Sequence, residues 1–153
     1  MMETSKELIN DLNGLLEKHN DAVRGYKEAA DKAKSPALKT FLQRNAGTRQ
    51  SFAQDLKQEV VALGGDPERG TSTAADLHRG WINFKSAFTS EKDEAVLEEC
   101  VRGEKAALKE YDSVLKDYEV PQGLRSKLQD QRNQIQQAKS ELEALELQAD
   151  RRN

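Results

Sequence analysis

From residue 8 to residue 33 the chain repeats one spacing, steps of four and three without a slip: Leu8, Leu12, Leu15, His19, Ala22, Tyr26, Ala29, Ala33. Only an α-helix gathers such positions into a single stripe, and a stripe that long must be covered by other helices. The same rhythm returns three times. A second seam reads Leu38, Leu42, Asn45, Arg49, Phe52, Leu56, Val60, Leu63. A third reads Leu97, Cys100, Glu104, Ala107, Tyr111, Val114, Tyr118, and a fourth Leu124, Leu128, Gln131, Ile135, Ala138, Leu142, Leu145. The spacing predicts an all-α four-helix bundle with helices over 5–33, 36–63, 91–118 and 121–149 in one domain spanning 4–149.

The breaks between seams carry helix punctuation. "TSKE" offers a capping box in which Thr4 accepts from a first-turn amide and Glu7 reaches back. "KSPAL" supplies Ser35 as an N-cap and Pro36 for a first turn, "LGGDP" and "EVPQG" close the second and third helices, and "LQADRRN" should fray. Short connections make helices one and two antiparallel neighbours, and three and four likewise. Residues 64–90 form a longer crossover, in which Leu77, Trp81, Phe84 and Phe88 predict a short amphipathic helix over about 73–88 that packs across the bundle. A crossover of that length is expected to bring the second hairpin round to point the same way as the first, an up-down-crossover-up-down bundle.

Composition narrows the function classes. Charged residues make up 33% and hydrophobic ones 36%, which suits slender helices that each keep a wide face in water. The 27 acidic and 24 basic residues are interspersed, so no basic stripe exists to neutralise a phosphate backbone, and nucleic acid is not an expected partner. No segment has the run of roughly 20 apolar residues that crosses a bilayer, and the first residues carry neither a basic nor an apolar leader segment; a cytoplasmic location is expected. Cys100 is the single cysteine, which excludes an internal disulfide and a CxxC site; on an apolar seam it reads as a small core hydrophobe. There is no Gly-rich phosphate loop, nucleophile elbow or metal-spaced His and Cys cluster, so enzyme motifs are absent.

What the seams do contain is charge. His19 and Arg49 stand 16 and 14 residues from Ser35, and Glu104 and Ile135 stand 16 and 15 from Val120. With both hairpin turns at one end, a rise of roughly 1.5 Å per residue sets all four at one height. The expected result is a central polar layer of His19, Tyr26, Asn45, Arg49, Glu104 and Tyr111. The halves also echo one another: "PALKTFLQRN" is matched by "PQGLRSKLQDQRN", and the spacing from His19 to Tyr26 equals that from Glu104 to Tyr111.

These features resemble the ferritin-like carboxylate bundles, whose dimetal site takes a Glu from helices one and three and an E-x-x-H pair from helices two and four. The resemblance runs over nearly the whole chain, through "EKAALKEY" and "LGGDP". Position by position it puts His19 and Glu104 at the single glutamates, Arg49 and Phe52 at the helix-two pair, and Ile135 and Ala138 at the helix-four pair. Glu104 alone is of ligand type, so no metal and no cofactor is expected. Within that superfamily the chain is similar to an uncharacterised bacterial four-helix family, a domain of unknown function, through "LNGLLEKHNDAVRGYKEAA", "LHRGWINFKSAF" and "EAVLEECVRGEKAALKEY".

The implied reading is a ferritin-like bundle without its dimetal site, in which Arg49 replaces the metal charge and pairs with Glu104. Such a chain would serve as a structural, interaction or stress-associated module, with a second copy or another protein as partner. Two alternatives use the same residues: a metal-dependent oxidase with non-standard ligands His19 and Glu104, and a small-ligand binder at the polar layer.

Overall fold

Ser35 starts the first hairpin's second arm as a true N-cap: its backbone is extended and its hydroxyl accepts from the amide of Leu38 at 3.4 Å, with Pro36 in the first turn. The computed structural model describes residues 2–67, 93–117 and 119–152. Among these residues there are four helices and no strand: α1 (Met2–Lys32), α2 (Pro36–Ala62), α3 (Asp93–Leu115) and α4 (Gln122–Arg152). The crossover helix expected over 73–88, with Leu77, Trp81, Phe84 and Phe88, lies outside the described residues.

α2 ends in a Schellman motif. Gly64 adopts φ +86°, its amide bonds Val61 O at 2.9 Å, and the amide of Gly65 bonds Val60 O at 2.9 Å. Gly65 has a different reason to be glycine, since a Cβ there would lie 2.6 Å from Ile9 Cγ2 on α1. Asn13 of α1 then donates to Asp66 O at 3.1 Å and ties the far end of α2 down. At the opposite end, the carboxylate of Asp93 opens α3 by accepting from the amides of Lys34 and Ser35, each at 3.0 Å.

That last contact fixes a direction. The start of α3 sits at the α1–α2 turn, while Lys127, near the start of α4, binds Glu59, near the end of α2, at 2.9 Å. Arg44 and Glu141 meet at 3.2 Å further along the same two helices. α1 therefore neighbours α2 and α3, α4 neighbours α3 and α2, and all four neighbouring pairs are antiparallel. The two hairpin turns lie at opposite ends, and α2 and α3, which the crossover joins, run parallel on a diagonal. The arrangement is up-down-down-up, which corrects the expected orientation of the second hairpin. Alternation of direction lets every helix dipole lie beside opposed neighbours, and a connection of this length can span the bundle as easily as return to its starting end.

Three helix ends also differ from expectation. α1 is already helical at Met2, so Thr4 lies inside the helix instead of capping it. α3 stops at Leu115, where Arg125 of α4 donates to the terminal carbonyls of Leu115, at 2.6 Å, and Asp117. α4 continues to Arg152, because its last residues contain no glycine or proline to stop it.

The core is in two parts. Around the α1–α2 turn the packing is alanine-rich, with Ala22, Ala29, Ala30, Ala33 and Ala46 letting α1 and α2 approach closely around Leu38, Leu42 and Leu97. Towards the α3–α4 turn the side chains are larger: Leu12, Leu15, Phe52, Leu56, Leu128 and Ile135. Between them lie the buried polar groups.

Candidate functional site

The polar groups form two linked clusters at different heights. In the cluster nearer the α1–α2 turn, Tyr26 donates its hydroxyl to Glu104 Oε1, and Arg49 Nη1 meets Glu104 Oε2 at 3.5 Å. The Arg49 and Glu104 side chains are 4% and 1% exposed, so the pair is withdrawn from water, and it joins the diagonal helices α2 and α3 through the middle of the core. Burial and the neighbouring Glu104 carboxylate push the Tyr26 hydroxyl well above its ordinary range, so it stays protonated and can only donate to that carboxylate.

In the second cluster, His19 Nε2 and the Tyr111 hydroxyl are 2.5 Å apart, and Tyr111 donates to Gln131 Oε1 at 2.8 Å. Because the Tyr111 proton is used on Gln131, the hydrogen-bond pattern assigns the imidazole proton to Nε2, giving a relay His19 to Tyr111 to Gln131. The ring is neutral: burial and then the Arg49 guanidinium hold its pKa well below the ordinary 6.5. Phe52 packs edge-on against it with ring centroids 5.5 Å apart.

The two clusters are one motif used twice. Moving from His19 to Tyr26 advances seven residues on α1, and moving from Tyr111 to Glu104 retreats seven on α3. Each helix presents a polar residue and a tyrosine, and across the antiparallel interface each tyrosine meets the other helix's polar residue.

The expected single height for His19 and Glu104 is therefore corrected: they stand two turns apart, about 10 Å along the bundle. The error comes from the hairpin direction, since distances counted from two turns agree in height only when those turns share an end. Arg49, whose side chain is long, interacts with both levels. Asn45, one turn from Arg49 towards the α1–α2 turn, is buried near the height of Tyr26, and its Nδ2 has no partner among the described residues. Arg49 Nε, His19 Nδ1 and Gln131 Nε2 are also buried without a partner among the described residues.

Two buried polar residues fall outside the expected layer. Gln131 interrupts the fourth seam, a visible signal once seam polarity is taken to mean pairing. Asn13 lies off its seam and is buried because its partner, Asp66, follows the α2 cap; nothing local marks it.

A dimetal centre does not fit these residues. At the positions implied by the resemblance, Arg49 is cationic, Phe52 packs on His19, and Ile135 is 1% exposed in the larger apolar cluster. Glu104 already takes a donor on each oxygen. Among the described residues no group of three or more His, Cys, Asp or Glu side chains is placed to hold a metal ion. Cys100 is fully buried, and burial together with Glu104 pushes its thiol far up, which makes it a packing group and not a nucleophile. No helix is long and apolar enough to cross a membrane among the described residues.

A search among curated proteins finds no match to the chain. A sequence family does match, over residues 7–117, which takes in most of α1, all of α2 and α3 and the connection between them, and leaves out α4. The chain thus belongs to the family described as Domain of unknown function (DUF2383).

Proposed function

We propose that this chain is a single-domain ferritin-like bundle, spanning about 4–149, in which an internal ion pair stands where the superfamily holds two metal ions. The observation that carries the reading is the Arg49–Glu104 pair, buried on both sides and set across the diagonal of the core. A guanidinium beside a glutamate supplies in one side chain the positive charge that a carboxylate core otherwise takes from metal. The parallel α2 and α3, joined by a long connection, support the ferritin-like assignment. On this reading the molecule acts as a structural or interaction module of the cytoplasm, stress-associated and self-associating or bound to another protein, and not as an enzyme.

Metal content tests the proposal. Protein purified from medium supplemented with iron, manganese and zinc should carry no stoichiometric ion by elemental analysis. One or more tightly held ions per chain, lost in Glu104→Gln, would overturn it in favour of a metal-dependent oxidase. A second reading, a small-ligand binder at the layer, is favoured by Arg49 Nε and Asn45 Nδ2, two buried donors four residues apart on α2 that find no acceptor among the described residues.

A further inference from the structure

Gly25 and Gly103 stand opposite one another across the α1–α3 interface. The Lys18–Glu110 salt bridge, at 3.7 Å with both side chains nearly half exposed, marks the solvent flank of that interface, and each glycine lies seven residues from it along the same row, towards the α1–α2 turn. Each glycine also directly precedes a member of the Tyr26–Glu104 hydrogen bond, so at that height the flank beside the buried bond carries no side chain from either row. Glycine inside a helix is destabilising relative to alanine, and two facing glycines leave room for a side chain from elsewhere at backbone distance. Gly25 is nonetheless buried, although the residue facing it brings no side chain.

Residues 68–92 connect α2 to α3, and both ends of the connection are tied alongside α1. Before it, Gly65 packs against Ile9 and Asp66 O accepts from Asn13 at 3.1 Å; after it, Asp93 accepts from the amide of Lys34, just past α1, at 3.0 Å. Asn13 and Lys34 are 21 residues apart, about 32 Å along α1. The 25 connecting residues would cover about 80 Å extended but only about 38 Å as helix, so a mostly helical connection laid beside α1 matches the span. It starts on the α2 side of α1 and ends at α3, which takes it across to the flank where the glycines stand. Gly25 lies four-sevenths of the way from Asn13 to Lys34. The same fraction of the way from Asp66 to Asp93 falls at Trp81, the only tryptophan of the chain.

We propose that this connection runs beside α1 and seats the Trp81 indole in the notch between Gly25 and Gly103, with Leu77, Phe84 and Phe88 of the same stripe against α1 and α3. The missing side chains admit the ring, and the ring keeps water from the Tyr26–Glu104 bond, whose carboxylate also holds Arg49. The packing holds whether or not the layer beneath it is metal-free.

The test places a bimane label, which tryptophan quenches on contact, at one introduced cysteine in a Cys100→Ala background. On Ala106→Cys, exposed on α3 between Gly103 and Glu110, the label should be quenched in the otherwise natural chain, and the quenching should be lost in Trp81→Phe. On Ser126→Cys, exposed on α4 beside α2, the label should be equally bright with and without Trp81. Without a label, Trp81 emission should have the blue position of a buried indole and shift to the red in Gly103→Leu, which fills the notch. It should stay in place in Gly47→Leu, where an added Cβ meets nothing within 4 Å. Quenching at Ser126→Cys, quenching at neither position, equal quenching of labelled Trp81→Phe chains by added natural chains, or an emission unmoved by Gly103→Leu would each overturn the proposal.

Discussion

Tyr26 of α1 donates its hydroxyl to Glu104 of α3, and the same two helices reverse the roles seven residues away, where the Tyr111 hydroxyl of α3 meets His19 of α1. This exchange makes the α1–α3 interface specific. A shift of either helix by two turns would set tyrosine against tyrosine, and a shift by one turn would part both pairs inside the core, where each stranded group carries a desolvation cost of a few kcal/mol. Arg49 then adds the diagonal link, so that three of the four helices are locked through one carboxylate.

Arg49 and Glu104 should be strongly coupled. Arg49→Met leaves a buried carboxylate with only Tyr26, and Glu104→Leu leaves a buried guanidinium with no counter-charge, each at a cost of about 3–5 kcal/mol. The double variant removes the desolvation penalty along with the attraction and should cost far less than the sum. Urea unfolding of all four proteins measures the coupling. Additive single effects near zero would show that the pair contributes nothing in solution.

His19 should make stability fall on mild acidification. In the folded chain its pKa lies well below the ordinary 6.5 because of burial and Arg49, so it stays neutral, while the unfolded chain binds a proton below that value. The unfolded state then holds more protons, and stability drops as pH falls below about 6.5, by up to about 1.4 kcal/mol per pH unit. His19→Gln keeps an N–H for Tyr111 and cannot ionise. Unfolding free energies at pH 7.5 and 5.5 should differ more for the natural chain than for this variant, and equal differences would show that His19 is not held neutral.

The two glycines after α2 should fail for different reasons. Gly64→Ala costs about 1 kcal/mol because an L side chain is disfavoured at φ +86°, in any background. Gly65→Ala clashes with Ile9, whose Cγ2 would lie 2.6 Å from the new methyl group. Thermal unfolding should show the Gly65→Ala penalty shrinking in an Ile9→Ala background while the Gly64→Ala penalty is unchanged.

Much of this arrangement is local and was readable from spacing. The seams name the inward face of each helix, including the positions of His19, Arg49, Glu104 and Gln131, because a period of 3.6 residues is a property of one helix alone. "KSPAL" and "LGGDP" mark an N-cap and a Schellman end for the same reason, since caps are made by residues within a few positions of one another. Thr4 misled because a cap is needed only where a helix stops, and α1 does not stop there.

Four amphipathic helices with polar residues on their buried stripes follow from residue spacing alone, but which of those residues meet depends on how the helices pack. The deciding variable was the direction of the second hairpin. Periodicity fixes the face of a helix but carries no sign for its direction in the bundle, and a long connection can deliver α3 to either end at similar entropic cost. The ties of Asp93 to Lys34 and Ser35, and of Lys127 to Glu59, resolve it. With α1 and α3 antiparallel, Glu104 falls beside Tyr26 and not His19, His19 is left to Tyr111, and Gln131 completes a relay that no single helix contains.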